Sequence, residues 1–289
     1  METIASPAAM SGWSKAARAS GRTLALVPTM GALHAGHLAL MAAGHRHADR
    51  VVASLFVNPL QFGANEDLER YPRDLTRDTA LAAKAGVDVL FTPPAAAMYP
   101  PGHRTRIRVE GVGAGLCGAS RPGHFEGVAT VVAKLFHIVA PHVAIFGEKD
   151  RQQLAVIRRM VQDLDWDLTV VGHPTVREAD GLAMSSRNRY LSDEQRRGPA
   201  LALWQGLQLA RQLVAAGETA SERLEEAVRA SIAGHRGTRI DYATIVDQET
   251  MDRQQIVDRR SILAMAVWIG ETRLIDNGLL LPGEEQGRS

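Results

Sequence analysis

Apolar residues in the first part of the chain follow two alternating spacings. Continuous runs at 24–27, 50–57, 87–91, 142–146 and 168–171 are rich in Val, Ile, Leu and Phe and mostly stop at Pro, Gly or Asn-Pro. Runs of this length suit strands covered on both faces of a parallel sheet. Between them the apolar positions recur at helical spacing, over 36–47, 73–85 and 127–140. A further stretch after 150 puts Leu154, Ile157, Val161 and Leu164 on one face. Alternation of this kind predicts an α/β fold, with a Rossmann-like parallel sheet domain over 1–175. Within it, 104–109 reads as a further short strand and the glycine-rich 111–123 as a mobile loop.

Beyond about residue 175 the period changes. Ser192 with Gln195, and Thr219 with Glu222, have capping-box spacing and should open helices running to about 216 and 234. Alternation at 240–246, 262–268 and 273–276 predicts three short antiparallel strands. The expectation is a smaller α+β lid domain over 176–289 with a short antiparallel sheet, ending in a frayed tail at 283–289.

Composition narrows the classes. A formal charge of +1 on 289 residues leaves no basic field for nucleic acid. One cysteine, Cys117, excludes an internal disulfide. No apolar run approaches a membrane span, and the opening residues lack a signal-peptide core. A cytoplasmic, reduced enzyme without membrane association is expected.

Candidate chemistry concentrates where strands end. LALVPTMGALHAGHLALM at 24–41 runs from a strand through a glycine turn into a helix start. The unpaired N–H groups and dipole of a helix N-terminus favour an anion there. His34 and His37, three apart, can donate to one phosphate group, with Gly36 letting a ligand approach the backbone. The pair could also hold a metal, but no Glu follows the first His and no Cys/His cluster supports that reading, so no metal site is assigned. A second strand–turn–helix junction carries Gly147, Glu148, Lys149 and Asp150. Lys149 can set a compact charge on phosphates, and Asp150 can accept from ribose. Gln153 lies one helical turn further in. Asn58 and Gln61 sit where another strand opens at its carboxyl end. Met184, Ser185, Ser186 and Arg187 place two hydroxyls and a guanidinium on a loop, which suits a polyphosphate.

These segments, PTMGALHAGH at 28–37, FVNPLQFG at 56–63, FGEKDRQQ at 146–153 and DGLAMSSRNRYLS at 180–192, closely resemble the pantothenate synthetase (pantoate–β-alanine ligase) family. The first is a form of the H-I-G-H signature of nucleotidylyltransferases and class I aminoacyl-tRNA synthetases, and MSSR stands where those relatives carry K-M-S-K-S. The resemblance implies ATP-dependent joining of pantoate to β-alanine through a pantoyl adenylate, with AMP and pyrophosphate released, Mg²⁺ required, and a homodimer assembled largely through the N-terminal domain. It implies ATP contacts at Met30, Gly31, Ala32, Leu33, His34, Ala35, Gly36, His37, Gly147, Glu148, Lys149, Asp150, Val176, Met184, Ser185, Ser186 and Arg187. Gln61 and Gln153 match the pantoate-binding glutamines, with Asn58 in the same pocket, and His34, His37 and Lys149 match the catalytic residues. Asp78 is a candidate outer partner for Mg²⁺. Two other classes share part of this pattern: an adenylyltransferase that leaves AMP on its product, and a nucleotide- or tRNA-binding module without catalysis.

Overall fold

A computed structural model describes residues 1–64 and 66–281 of the chain. The chain begins with β1 (Glu2–Ile4) and α1 (Pro7–Ala19), then β2 (Leu24–Thr29), α2 (Ala35–His47) and β3 (Arg50–Leu55). After a 3-10 turn at Pro59–Gln61 come α3 (Leu75–Lys84), β4 (Val89–Phe91), α4 (Ala95–Met98), α5 (Leu116–Ser120) and α6 (His124–Val139). Next are β5 (Val143–Gly147), a 3-10 turn at Glu148–Asp150, α7 (Arg151–Asp163) and β6 (Thr169–His173). After a 3-10 turn at Ser186–Tyr190 come α8 (Asp193–Arg197), a 3-10 turn at Pro199–Leu201, α9 (Ala202–Ala215), α10 (Ser221–Ala233) and three strands, β7 (Thr238–Asp247), β8 (Ser261–Ile269) and β9 (Thr272–Leu279).

Six strands form a parallel sheet in the order β1-β4-β3-β2-β5-β6, and β7-β8-β9 form a separate antiparallel sheet. The continuous apolar runs follow from cover on both faces. Leu26, Val52, Phe91 and Phe146 pack with α1, α6 and α7, while Ala25, Val27, Ala53 and Ile145 pack with α2 and α3. A third core joins α9 and α10 to β7–β9. The strand order reverses between β2 and β5, which makes a crevice at the carboxyl ends of those two strands. No described helix is long and apolar enough to cross a membrane.

Several local expectations change. The apolar pattern does not predict β1 and α1, although Ser6 caps α1 and Pro7 opens it. Residues 104–109 form no strand; Ile107 N–H bonds the Thr130 hydroxyl at 3.0 Å, outside any ladder. The 111–123 segment is tied down. Gln152 Nε2 donates to Val112 O and Gly115 O, its Oε1 accepts from Cys117 N, and a Cβ on Gly118 would lie 1.8 Å from Gly113 O. The Ser192–Gln195 capping box is present but opens only the short α8, because Gly198-Pro199 interrupts the helix. The cap of α10 is Ala220, and the Glu218 carboxylate, rather than a Thr219–Glu222 pair, takes the Thr219 and Ala220 N–H groups. The expected tail at 283–289 lies outside the described residues.

Candidate active site

The turn after β2 is strained and held by one carboxylate. Gly31 has φ +85° and Ala32 φ +51°, a left-handed conformation unusual for alanine. The Asp78 carboxylate, buried on α3, accepts from Ala32 N at 2.7 Å and Leu33 N at 2.8 Å. Both of its oxygens hold the turn, which makes Asp78 a loop anchor, and it is not among the residues lining the cavity that His34 and Lys149 share. Asp78→Ala should lower stability by ~1–3 kcal/mol for each orphaned donor. Chemical denaturation reads this directly; an unchanged midpoint and slope would show that the turn holds itself.

His34 is the N-cap residue of α2, and its ring lies against that of His37 with centroids 4.0 Å apart. The backbone N–H of His34 donates to His37 Nδ1 at 3.3 Å, which places the His37 proton on Nε2. Burial lowers His34 to about 4 and His37 to about 3; the Lys149 charge adds to both, and the His34 charge adds to His37. Both rings are neutral at pH 7, each with one N–H to give. Among the described residues, His34 Nδ1 is buried without a hydrogen-bond partner. A Cβ on Gly36 would meet the His34 ring at 2.9 Å, so the absence of a side chain here makes room for the histidine, and Gly36 itself lines the cavity that His34 faces.

At the neighbouring strand end, β5 runs through Gly147 into the Glu148–Asp150 turn. Lys149, Asp150 and Gln153 face the same cavity as His34 and His37, about 180 Å³ in volume and also lined by Gly147, Val176, Met184, Ser185, Ser186 and Arg187. Asp150 is the only carboxylate among the described residues lining it. Gly31, Ala32, Leu33, Ala35 and Glu148 are outside this lining. Ala32 and Leu33 are buried with their N–H groups on Asp78, Ala35 is exposed, and Glu148 turns to Arg151 at 3.3 Å. Ser186 Oγ donates to Ala32 O at 3.3 Å, joining the serine loop to the strained turn. Arg187 makes a two-pronged pair with Asp67, at 3.0 and 2.8 Å, a partner that the tripeptide alone does not disclose.

A second cavity of about 170 Å³ holds Asn58 and Gln61. Met30, His37, Tyr71, Asp150, Gln153 and Arg187 line both cavities. The 3-10 turn carrying Gln61 is pressed on α6 so closely that a Cβ on Gly127 would fall 2.2 Å from Leu60 O. A chain of bonds orients the glutamine. Tyr99 OH donates to Asn58 Oδ1 at 2.8 Å, and Asn58 Nδ2 donates to Gln61 Oε1 at 3.1 Å and Gly127 O at 3.0 Å. Gln61 is left to present its N–H₂, which lies 3.1 Å from Met30 Sδ. His124, pushed to about 4 by burial and by Arg121, bonds Gln61 O through Nδ1 at 2.8 Å, and Arg121 meets its Nε2 at 3.0 Å. Sequence reasoning misses Tyr71, Tyr99 and His124 and gives Arg121 no role. The R-P-G-H string at 121–124, a break followed by a helix start, is the available signal for two of them.

Comparison with known proteins identifies the family. The family model for pantoate–beta-alanine ligase matches residues 2–279. The pantothenate synthetase of Geobacter sulfurreducens is 55% identical over 286 residues, 99% of this chain and 100% of that protein. That of Moorella thermoacetica is 52% identical over 97% of this chain and 99% of its own. The crystal structure of pantothenate synthetase from Thermus thermophilus superposes with a TM-score of 0.92 at 47% identity, covering 98% of this chain and 100% of that one. The pantoate–beta-alanine ligase from Francisella tularensis, complexed with beta-gamma ATP and β-alanine, gives a TM-score of 0.80 at 31% identity, covering 98% and 99%. On matches that run almost from end to end, the chain belongs to the pantoate–β-alanine ligase family.

Proposed function

We propose that the chain joins pantoate to β-alanine with ATP through an enzyme-bound pantoyl adenylate. The observation that carries this reading is the meeting of two cavities at His37 and Gln153, one lined by the phosphate-binding candidates and the other by Asn58 and Gln61. An acid held in the second cavity lies beside a nucleotide held in the first.

In the first step a pantoate carboxylate oxygen forms a bond to the α-phosphorus of ATP while the bond to pyrophosphate breaks. The carboxylate is already ionised at neutral pH, so no base is needed. The obstacle is charge repulsion, which positioned donors relieve. Lys149 supplies a full charge, His37 the Nε2–H, His34 its ring, and Ser185, Ser186 and Arg187 further donors. Met30, Gly36, Gly147, Asp150, Val176 and Met184 shape the nucleotide cavity. Gly31, Ala32, Leu33, Ala35 and Glu148 act through the backbone framing it. Gln61 and Gln153 hold pantoate by neutral hydrogen bonds, which leave its carboxylate free to react. In the second step the β-alanine nitrogen attacks the acyl carbon, the bond to AMP breaks, and the amine's proton leaves. With Nε2 protonated and Nδ1 accepting from the His34 N–H, His37 has no free lone pair to take it, which favours solvent as the acceptor.

Among the described residues no group of three His, Cys, Asp or Glu could hold a metal ion. Mg²⁺ therefore fits as a partner of the nucleotide phosphates and water, near Asp150, where it would supply neutralising charge. The division near residue 175 serves as a hinge, with the 176–289 part closing over ATP. The enzyme works in the cytoplasm as a homodimer. Gln61→Ala should raise the KM for pantoate about tenfold or more with little change for ATP; the opposite ranking would remove Gln61 from the acid pocket. Product analysis tests the whole reading. With all three substrates, AMP, pyrophosphate and pantothenate should appear in equal amounts, whereas ADP with phosphate, or a stable AMP conjugate, would overturn it.

A further inference from the structure

We infer that Asn277 is a positioning residue for Lys149, and that with Asp276 it couples the lysine's turn to the loop carrying the two serines. The inference rests on the role proposed above for Lys149. Asn277 lies on β9, opposite Ala264 of β8, and is buried. Its Nδ2 donates to Glu148 O at 3.0 Å and to Lys149 O at 2.8 Å, so both amide hydrogens are committed to the turn that presents the lysine. That turn has little side-chain support of its own. Neither Gly147, which precedes it, nor Asp150, which leads into α7, makes a side-chain cap bond.

Neighbouring strand residues face opposite sides of a sheet. Asp276 accordingly points the other way. It accepts both prongs of Arg177, at 2.7 and 2.8 Å, and is almost fully buried. Arg177 also donates to Gly181 O and lies over the Trp204 ring, and its backbone bridges to Ala183, two residues before Ser185. A Cβ on Gly278 would strike Leu207 of α9, which places 276 and 278 on the face turned to the helices. One dipeptide of the antiparallel sheet thus grips both the Lys149 turn and the hairpin leading to Met184–Arg187. Lys149 and the serine loop are set from the same strand, so a tilt of that sheet moves them together.

A double-mutant cycle tests this, with pyrophosphate release from ATP and pantoate measured in a single turnover. Asn277→Ala should slow release about 10–100-fold, the cost of a misplacement near 1 Å, and leave the apparent affinity for pantoate unchanged. In a Lys149→Ala background the same substitution should cost less than about threefold, because the group it positions is gone. An equal loss in both backgrounds would overturn the coupling. Asn277→Asp keeps the shape but turns an acceptor toward two carbonyls, and should be at least as slow as Asn277→Ala; wild-type rates in it would also overturn the proposal. Melting temperature is recorded for each variant, and Asn277→Ser, which retains a donor, carries the cycle if the alanine form does not fold. Near-normal release by Lys149→Ala alone would instead remove the lysine from the reaction, a separate failure from that of Asn277.

Discussion

Lys149→Ala is expected to lower the rate of pyrophosphate release by about 10²–10³, the range seen when one charge-stabilising donor is removed from a preorganised site. The expectation follows from what the first step must overcome. In the proposed step an anionic acid approaches an anionic phosphate, and further charge gathers on the leaving pyrophosphate. Lys149 is a cation in the cavity proposed for the nucleotide, at the end of β5 and on the far side of the crevice from the β2 turn. Arg187 also lines that cavity, but its guanidinium is occupied by Asp67. Arg187 therefore has to share or exchange a partner to reach a phosphate, whereas no carboxylate pair occupies Lys149 among the described residues. Folding should be little affected, since the side chain fills no core. Stopped-flow release with an intact melting curve reads both quantities, and a loss smaller than about fivefold would place the charge elsewhere.

His37→Ala should also cost about 10²–10³ in the same step, for a different reason. His37 contributes a neutral donor with a defined tautomer, because its Nδ1 is spent on the backbone N–H of His34. His37→Asn, which can present an N–H from a shorter side chain, should recover part of the loss. The burial that keeps the ring neutral has a consequence for stability. Folded-state values of about 3 and about 4 for His37 and His34 lie below the ordinary 6.5. As the pH falls below 6.5 the unfolded chain takes up these protons first, so stability declines through the window from 6.5 toward about 3 and is fully present above it. The melting temperature should be level above about pH 6.5 and fall below it, with a shallower fall in His37→Asn. A melting temperature that rises on acidification from about 6.5 to about 5 would contradict the neutral assignment.

Much of this site is legible in the sequence because two of its parts are local. A strand that ends in a glycine turn and starts a helix must bring its turn to the sheet's carboxyl edge, so 24–41 and 143–153 can each be read alone. That they converge depends on β2 and β5 being neighbours, which the sequence order does not disclose. Long-range side-chain bonds are hidden for the same reason. Asp78 anchors a turn 46 residues earlier, and Tyr99 orients Asn58 across 41. What the sequence does not disclose at Gly36 is the His34 ring, which a Cβ there would meet at 2.9 Å. The mobile reading of 111–123 fails because Gln152, in a different element, supplies the hydrogen bonds that a glycine-rich segment lacks by itself. The helix expected from Ser192 to about 216 is too long because a capping box predicts only a start, and the Gly198-Pro199 break comes soon after it.

At the centre of the proposed reaction, an already ionised acid displaces pyrophosphate before the amine takes part. Exchange of radiolabelled pyrophosphate into ATP, with pantoate present and β-alanine absent, tests this most directly. Exchange that requires pantoate and disappears in Lys149→Ala is the predicted result. Exchange without pantoate, or none until β-alanine is added, would contradict it.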